Sequence, residues 1–306
     1  MKKLIFLQSN RAHVRNQLLL KRLRQFFKVH ICTYGEKDTM SIVEIAVDIT
    51  SKLKVAIDEI KPDVALIRAD RAEMLPMAML CAYSGIPIVH IEGGSETGQK
   101  VIDSRVRHAI TKLSDIHLVT DEEARRNVIL MGGDPDRVFN IGSLDVSYAT
   151  QVKTKDLIGE PYVLVLHHSI PEEDSELVFE AVKEATNLKM ISAKSNNDYK
   201  KSIIQEEHSQ NDFISLLKHA QCFISNSSAA CKEASILGTP VCLVGTRQDG
   251  RLVGHNVIRV PHDKEEIIKA TRYQISHGAY RSDDVYYKSN SEELACSIIE
   301  NFVYCR

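Results

Sequence analysis

The sequence predicts an α/β protein of two Rossmann-like domains facing one another across a cleft, and three observations predict it. Its 306 residues are too many for one ordinary core and suit two domains of roughly 100–200 residues each. Short apolar runs of strand length alternate with longer segments of helical periodicity, the pattern of parallel sheets covered by helices on both faces. A polar stretch near the middle interrupts the alternation, after which the pattern starts again.

The strand-length runs lie at 4–7, 29–32, 64–67, 86–91, 116–119, 162–166, 188–191, 222–224 and 240–244. Between them, segments such as 73–83, 101–113 and 122–131 carry helical periodicity. The stretch 151–160, with Gly159 and Pro161 closing it, has no apolar period and reads as the linker between a domain at 1–150 and one at 151–306. The second domain then opens on Tyr162-Val163-Leu164-Val165-Leu166, a strand of the fully buried type. Open parallel sheets bind ligands at the carboxyl ends of their strands, which places the cleft there.

Composition narrows the partners. Hydrophobic content of 43% with 26% charged residues is ordinary for a globular protein, and a formal charge of −2 leaves no positive field for nucleic acid or anionic lipid. The seven cysteines are odd in number, never spaced C-x-x-C, and mostly embedded in apolar runs such as Val241-Cys242-Leu243. They read as reduced core residues. Lys2-Lys3 is followed by only four apolar residues before Gln8, too few for a signal peptide, and no run approaches the roughly 20 residues that span a bilayer. A cytoplasmic protein without membrane or nucleic-acid partners is expected, forming a homo-oligomer, a dimer or tetramer.

Four polar clusters follow strand-length runs: Ser9-Asn10-Arg11, Asp70-Arg71, Glu92-Gly93-Gly94 and His167-His168. Loops at such places converge on one cleft. An acid there also serves as an N-cap, so Asp70 has two readings. In the segment from His90 to Gly98 the apolar pattern stops abruptly, and paired glycines let backbone approach a ligand or close a plain turn. Asp103 and Arg107 stand four apart on the next helix, where a surface ion pair is the simple alternative to a functional pair.

In the second half, Ser225-Asn226-Ser227-Ser228 precedes 229–237, a segment of helical composition. Hydroxyls and free N–H groups at a helix start suit a diphosphate, and they also suit simple capping. Glu233 lies one to two turns on, within reach of a ribose hydroxyl pair, and Gly245-Thr246-Arg247-Gln248 supplies a fixed cation. A neutral His167 is placed to bond a phosphate or sugar, or to serve structure. There is no H-E-x-x-H, no carboxylate cluster of metal spacing, no G-x-G-x-x-G after the first strand and no P-loop, which argues against zinc, NAD and ATP hydrolysis. A nucleoside diphosphate carrying a further group is the ligand class left.

From about residue 62 to residue 260 the chain resembles the hydrolysing UDP-N-acetylglucosamine 2-epimerases, including the epimerase half of the bifunctional enzyme that starts sialic acid synthesis. The resemblance lies in Ala69-Asp70-Arg71, His90-Ile91-Glu92-Gly93-Gly94, Ile102-Asp103-Ser104 with Arg107 through Lys112, and Asp134-Pro135-Asp136-Arg137-Val138. It continues in Asn226-Ser227-Ser228 with Glu233, Gly238-Thr239-Pro240, Gly245-Thr246-Arg247-Gln248 and Gly250-Arg251. The non-hydrolysing branch has an H-x-E-A-G turn and a P-E-E-x-N-R segment at the corresponding places, so the hydrolysing branch is the nearer match.

The resemblance implies the GT-B architecture, no metal or redox cofactor, and a UDP-sugar as substrate. It implies elimination of UDP across C1–C2 followed by hydration, with Asp70, Glu92 and Asp103 as catalytic carboxylates. It further places Arg11, Arg71, Arg107 and His167 near the diphosphate and sugar, Asn196 and Asp198 on a facing loop, Ser227 and Ser228 at the diphosphate, Glu233 at the ribose, and Arg247 beside them. Only 58 residues separate Arg11 from Asp70, so a shortened first domain is expected. The acid and tyrosine that usually follow the Arg11 position are His13 and Val14 here. A GT-B glycosyltransferase and a non-catalytic UDP-sugar binder are the competing readings.

Overall fold

The apolar runs fold into two all-parallel sheets, of six and five strands among the described residues. The computed structural model describes residues 1–9, 13–34, 41–68, 73–97, 102–168, 170, 173–193 and 209–305. The chain divides into unit 1, Met1–Leu144 with Lys288–Arg306, and unit 2, Asp145–Tyr287.

Unit 1 runs β1 (Lys3–Ser9), α1 (His13–Leu23), β2 (Lys28–Tyr34), α2 (Ile42–Ile60), β3 (Val64–Arg68), α3 (Met74–Tyr83), β4 (Ile88–Ile91), α4 (Ile102–Leu113), β5 (Ile116–Val119), α5 (Glu122–Leu130) and β6 (Val138–Asn140). Its sheet order is β2-β1-β3-β4-β5-β6. Leu4 and Phe6 of β1 pack under Leu19, Leu20 and Leu23 of α1, while Ile5 and Leu7 pack under Ile49 and Leu53 of α2 and Met77 of α3. Both faces of the strand are therefore covered, which is why the run lacks a polar alternation. The 58 residues between Arg11 and Asp70 still hold all of α1, β2, α2 and β3.

Unit 2 runs α6 (Leu144–Gln151), β7 (Tyr162–Leu166), α7 (Ser175–Ala185), β8 (Lys189–Ser192), α8 (Gln210–His219), β9 (Cys222–Ser225), α9 (Ser228–Cys231), α10 (Glu233–Leu237), β10 (Val241–Val244), β11 (Val257–Val260) and α11 (Lys264–His277). The order β11-β10-β9-β7-β8 repeats the logic of unit 1. Tyr162 and Leu164 face Leu216, Leu217 and Ala230, and Val163 and Val165 face Phe179, Val182 and Ile267. In each unit the winding reverses beside the first strand, between β1 and β3 and between β7 and β9. Ligands bind outside the carboxyl ends of strands at such a reversal.

Several boundaries differ from the sequence pattern. The first crossing falls at residue 144, because Val146 of α6 joins the unit 2 core with Tyr162 and Leu164. The last helix, α12 (Ser291–Tyr304), belongs to unit 1 rather than to the domain expected at 151–306. Its Ala295, Cys296, Ile299 and Val303 recur at helical spacing and fill the layer with Leu4 and Leu20. The segment 229–237 is two short helices, broken at Lys232 with φ −99 and ψ −80. Strands β6 and β11 are short edge strands with too few consecutive buried residues to stand out. All seven cysteines are free thiols, five of them buried. Among the described residues no helix is long and apolar enough to cross a membrane.

Candidate active site

In unit 1 the switch point is filled by a chain of buried polar groups. Arg68 ends β3, a strand buried along its whole length. Its Nη2 lies 3.0 Å from Glu92 Oε1, and its Nη1 donates to Asn16 Oδ1 at 2.6 Å. Asn16 Nδ2 in turn donates to Gln8 Oε1 at 3.2 Å. The Arg68 and Glu92 side chains are only 9% and 12% exposed, so this is an ion pair taken largely out of water. Such a pair persists where further hydrogen bonds support it, as Asn16 and Gln8 do here.

Glu92 follows β4 and has φ +69, one of three described non-glycine residues in the left-handed region. Strained backbone of this kind persists where the surroundings over-determine it. Here α4 and α5 clamp the turn. Arg107 donates to Ser95 O at 2.6 Å, His108 Nε2 lies 3.4 Å from Glu96 Oε1, Thr111 Oγ1 lies 3.2 Å from His90 Nδ1, and Asn127 donates to Gly94 O at 3.1 Å. The two glycines are explained by protein contacts. A Cβ at Gly93 would stand 2.8 Å from His90 Nδ1, and one at Gly94 would stand 2.3 Å from Ala124 O. Close approach is real, but to α4 and α5.

Asp103 lies in the first turn of α4 and is half-buried. Arg107 is 2% exposed, so it is no surface ion-pair partner; it holds the glycine turn. Arg11, Asp70 and Arg71 lie outside the described residues, as do Asn196 and Asp198. Gln8 and Asn16 bracket the segment that carries Arg11, and Arg68 stands two residues before Asp70. The buried chain thus ties the bases of both segments to Glu92.

In unit 2 one residue joins three neighbouring strand ends, by its side chain and its backbone carbonyl. Asn226, fully buried after β9, accepts from His168 N at 2.8 Å and donates to His168 O at 2.8 Å. Its side-chain amide nitrogen also meets His167 Nε2 at 3.1 Å, and its backbone carbonyl accepts from Arg247 at 3.1 Å and Gln248 at 2.9 Å. Because an amide N–H donates, His167 Nε2 accepts; its Nδ1 then carries the proton and meets Ser175 Oγ at 3.0 Å. Burial, with the charges of His262 and Arg247 adding to it, holds the His167 pKa down to about 3. The ring is neutral with both nitrogens engaged inside the protein. The structure therefore makes it a support for Asn226, the structural one of the two readings the sequence leaves open.

The serine cluster is not a plain cap. Ser227 occupies the N-cap of α9 without a side-chain capping bond, and its Oγ lies 2.9 Å from Ser225 Oγ. Ser228 is half-buried beside it, and Glu233 is buried at the start of α10. The loop carrying Arg247 is fixed from the other side. Glu173, buried, accepts from Thr246 N at 2.8 Å and Thr246 Oγ1 at 3.2 Å. Gly245, at φ +74, is required there, since a Cβ would lie 2.1 Å from Glu173 Oε2.

A sequence model of the UDP-N-acetylglucosamine 2-epimerase family matches residues 11–300, which span both units and every side chain of the two polar networks except Gln8. The chain belongs to that family. It is 34% identical over 277 residues to the UDP-N-acetylglucosamine 2-epimerase of Neisseria meningitidis, covering 80% of this chain and 72% of the relative. It is 29% identical over 269 residues to the hydrolysing UDP-N,N'-diacetylbacillosamine 2-epimerase of Legionella pneumophila, with 78% and 71% covered. Its fold matches the epimerase of Methanocaldococcus jannaschii solved with UDP-GlcNAc and UDP at a TM-score of 0.79, with 17% identity and coverage of 98% of this chain and 99% of that one. The two parallel-sheet halves are thus those of the GT-B-like epimerases.

Within this family fold, Arg68, Asn16, Gln8, Asn226, Gln248 and Glu173 build the two sites although the sequence pattern does not assign them a part. For Arg68 a signal exists: a guanidinium that ends a run of buried apolar residues needs a partner. Asn226 and Gln248 lie inside the motifs and look like loop residues. Glu173 gives no signal, because its partner is 73 residues away.

Proposed function

We propose that this chain is a hydrolysing 2-epimerase. It takes a UDP-2-acetamido sugar, UDP-N-acetylglucosamine or a relative of it, with water to UDP and N-acetylmannosamine or the corresponding analogue. The observation that carries this reading is Glu92, a carboxylate held on left-handed backbone at a switch point by the buried Arg68. The Legionella relative, named for the hydrolysing reaction, supports the choice of branch.

In this reading unit 1 performs the chemistry. A carboxylate among Asp70, Glu92 and Asp103 takes the C2 hydrogen as a proton. The C–H electron pair becomes the C1–C2 π bond, and the C1–O pair leaves with UDP. Water then adds at C1, and a proton returns to C2 from the opposite face. Positioned proton transfer of this kind contributes roughly 10²–10⁴ in rate. Unit 2 holds the nucleotide: Ser227, Ser228 and Arg247 at the diphosphate and Glu233 at the ribose. Arg11, Arg71, Asn196 and Asp198 complete the binding set, while Arg107 and His167 act through the loops they hold. Carboxylates and fixed cations carry every step, so the reaction proceeds without a metal, in the cytoplasm.

The test is incubation with UDP-N-acetylglucosamine in deuterated water, with chelator present and no acceptor. UDP and N-acetylmannosamine bearing deuterium at C2 are expected. Release of N-acetylglucosamine with its C2 hydrogen intact overturns the reading, and a requirement for an acceptor or a divalent ion points to glycosyl transfer.

A further inference from the structure

We infer that Arg68 is a positioning residue that presents Glu92 to the substrate as an anion, so that Glu92 is the carboxylate that accepts the C2 proton. This rests on the hydrolysing reading and deepens it, by separating one of three carboxylates from the other two. The geometry carries the inference. One guanidinium spans two partners, Glu92 Oε1 at 3.0 Å from Nη2 and Asn16 Oδ1 at 2.6 Å from Nη1. Asn16 is itself fixed by Gln8 on β1. A planar, permanently charged fork held at its far side cannot follow a retreating partner, so it fixes both the place and the charge of the carboxylate. A buried arginine stabilises the ionised form of an adjacent acid over the protonated one. An acid that must start the reaction protonated is poorly served by such a neighbour; a base is well served.

Among the described residues, neighbouring groups of the turn make contacts of their own. Arg107 of α4 donates to Ser95 O, His108 of α4 faces Glu96, and His90 of β4 meets Thr111. Arg11, Asp70 and Arg71 belong to segments outside the described residues. In the step assigned here, the proton moves from C2 to the Glu92 carboxylate as UDP departs with the C1–O pair. Glu92 becomes a neutral acid beside Arg68 and returns its proton to solvent once water has added.

Three variants test the inference: Arg68→Met, Arg68→Lys, and Arg68→Met combined with Glu92→Gln. Their kcat, KM and C2 deuterium uptake are measured with UDP-N-acetylglucosamine, and UDP affinity by titration. Arg68→Met is expected to lower kcat and C2 exchange together by on the order of 10², with a much smaller change in UDP affinity because Ser227, Ser228, Glu233 and Arg247 lie in unit 2. Arg68→Lys, which keeps the charge and loses the fork, recovers part of that loss. Combined with Glu92→Gln, Arg68→Met costs nothing beyond Glu92→Gln alone, since it acts through Glu92. Full kcat in both Arg68 variants, or losses that add in the double variant, overturn the inference. Should Arg68→Met fail to bind UDP as a folded protein, Arg68→Lys decides by the same split. A wild-type protein that releases no UDP from the sugar nucleotide removes the reading and the inference together; an active wild type with indifferent Arg68 variants removes the inference alone.

Discussion

The two units hold polar groups at the switch point of a parallel sheet by opposite means. In unit 2 the strand ends are joined by a mesh centred on an uncharged side chain: Asn226 satisfies both backbone groups of His168, one nitrogen of His167, and through its backbone carbonyl the donors of Arg247 and Gln248. In unit 1 the same place holds a buried charge pair on strained backbone, with Asn16 and Gln8 behind it. The difference fits the tasks proposed for the two halves. The diphosphate gains a negative charge as the C1–O pair leaves with it, and a rigid frame that fixes the Arg247 cation suits it. A proton that changes hands moves charge, and a fixed ion in a dry site acts strongly on moving charge.

The largest expected effect breaks unit 1 and spares unit 2. Glu92→Gln should lose roughly 10²–10⁴ in kcat while UDP titrates into the variant as into wild type. A parallel loss of UDP affinity contradicts the division of labour. The next effect is the converse. Asn226→Ala leaves several buried groups of His167 and His168 without partners, at about 1–3 kcal/mol each, so urea unfolding should show a loss of at least about 3 kcal/mol. Its turnover should suffer through KM, because the Asn226 backbone carbonyl that accepts from Arg247 loses the side-chain ties to His167 and His168 that place it; a kcat loss with KM unchanged speaks against the mesh as a nucleotide frame.

The contrast also explains what the sequence reveals. Both sheets are legible because their strands are covered on two faces and read as unbroken apolar runs, as Val64 through Ile67 does. Glu92 and Asp103 are legible through their motifs and their place after β4 and at the start of α4. Arg68, Asn226 and Glu173 are not, because their partners come from other strand ends, and such pairings exist only once the sheet order is known. The last helix falls outside the domain expected at 151–306 for the same reason: α12 is amphipathic on any reading, and only the fold shows that its stripe meets β1 and α1. Gly93, Gly94 and Gly245 are demanded by His90, Ala124 and Glu173, contacts no local pattern contains.

Acid sharpens the comparison, since each unit holds a buried histidine whose pKa burial depresses. Burial lowers His117 on β5 to about 4 and His167 to about 3, against 6.5 for a free imidazole. The unfolded chain takes up protons below pH 6.5 that these rings refuse, so stability is complete above that value and falls as pH drops toward 4 in unit 1 and 3 in unit 2. Between pH 8 and pH 5 each ring costs about 2 kcal/mol. The remedies differ. His117 Nδ1 is buried without a hydrogen-bond partner, so His117→Leu should flatten the acid loss with little change at pH 8. His167→Leu should destabilise the protein at every pH, because Asn226 and Ser175 lose their partner. Equal behaviour of the two variants at pH 8 means that the mesh is not what holds unit 2.

The smallest effect separates binding from folding at Ser227. If the residue were only a cap, Ser227→Ala would cost about 0.5–2 kcal/mol of stability and leave UDP affinity alone. The structure shows the N-cap position of α9 without a capping bond, so the variant loses little more than the contact with Ser225 Oγ. About 1 kcal/mol or less is expected in denaturant unfolding without ligand, the net worth of one neutral hydrogen bond. A hydroxyl that donates to a charged phosphate oxygen is worth more, roughly 1.5–3 kcal/mol, which is at least about tenfold in UDP affinity. Calorimetric titration of UDP into the variant therefore decides: a tenfold or greater rise in Kd places Ser227 on the diphosphate, and an unchanged Kd with lowered stability returns it to the fold.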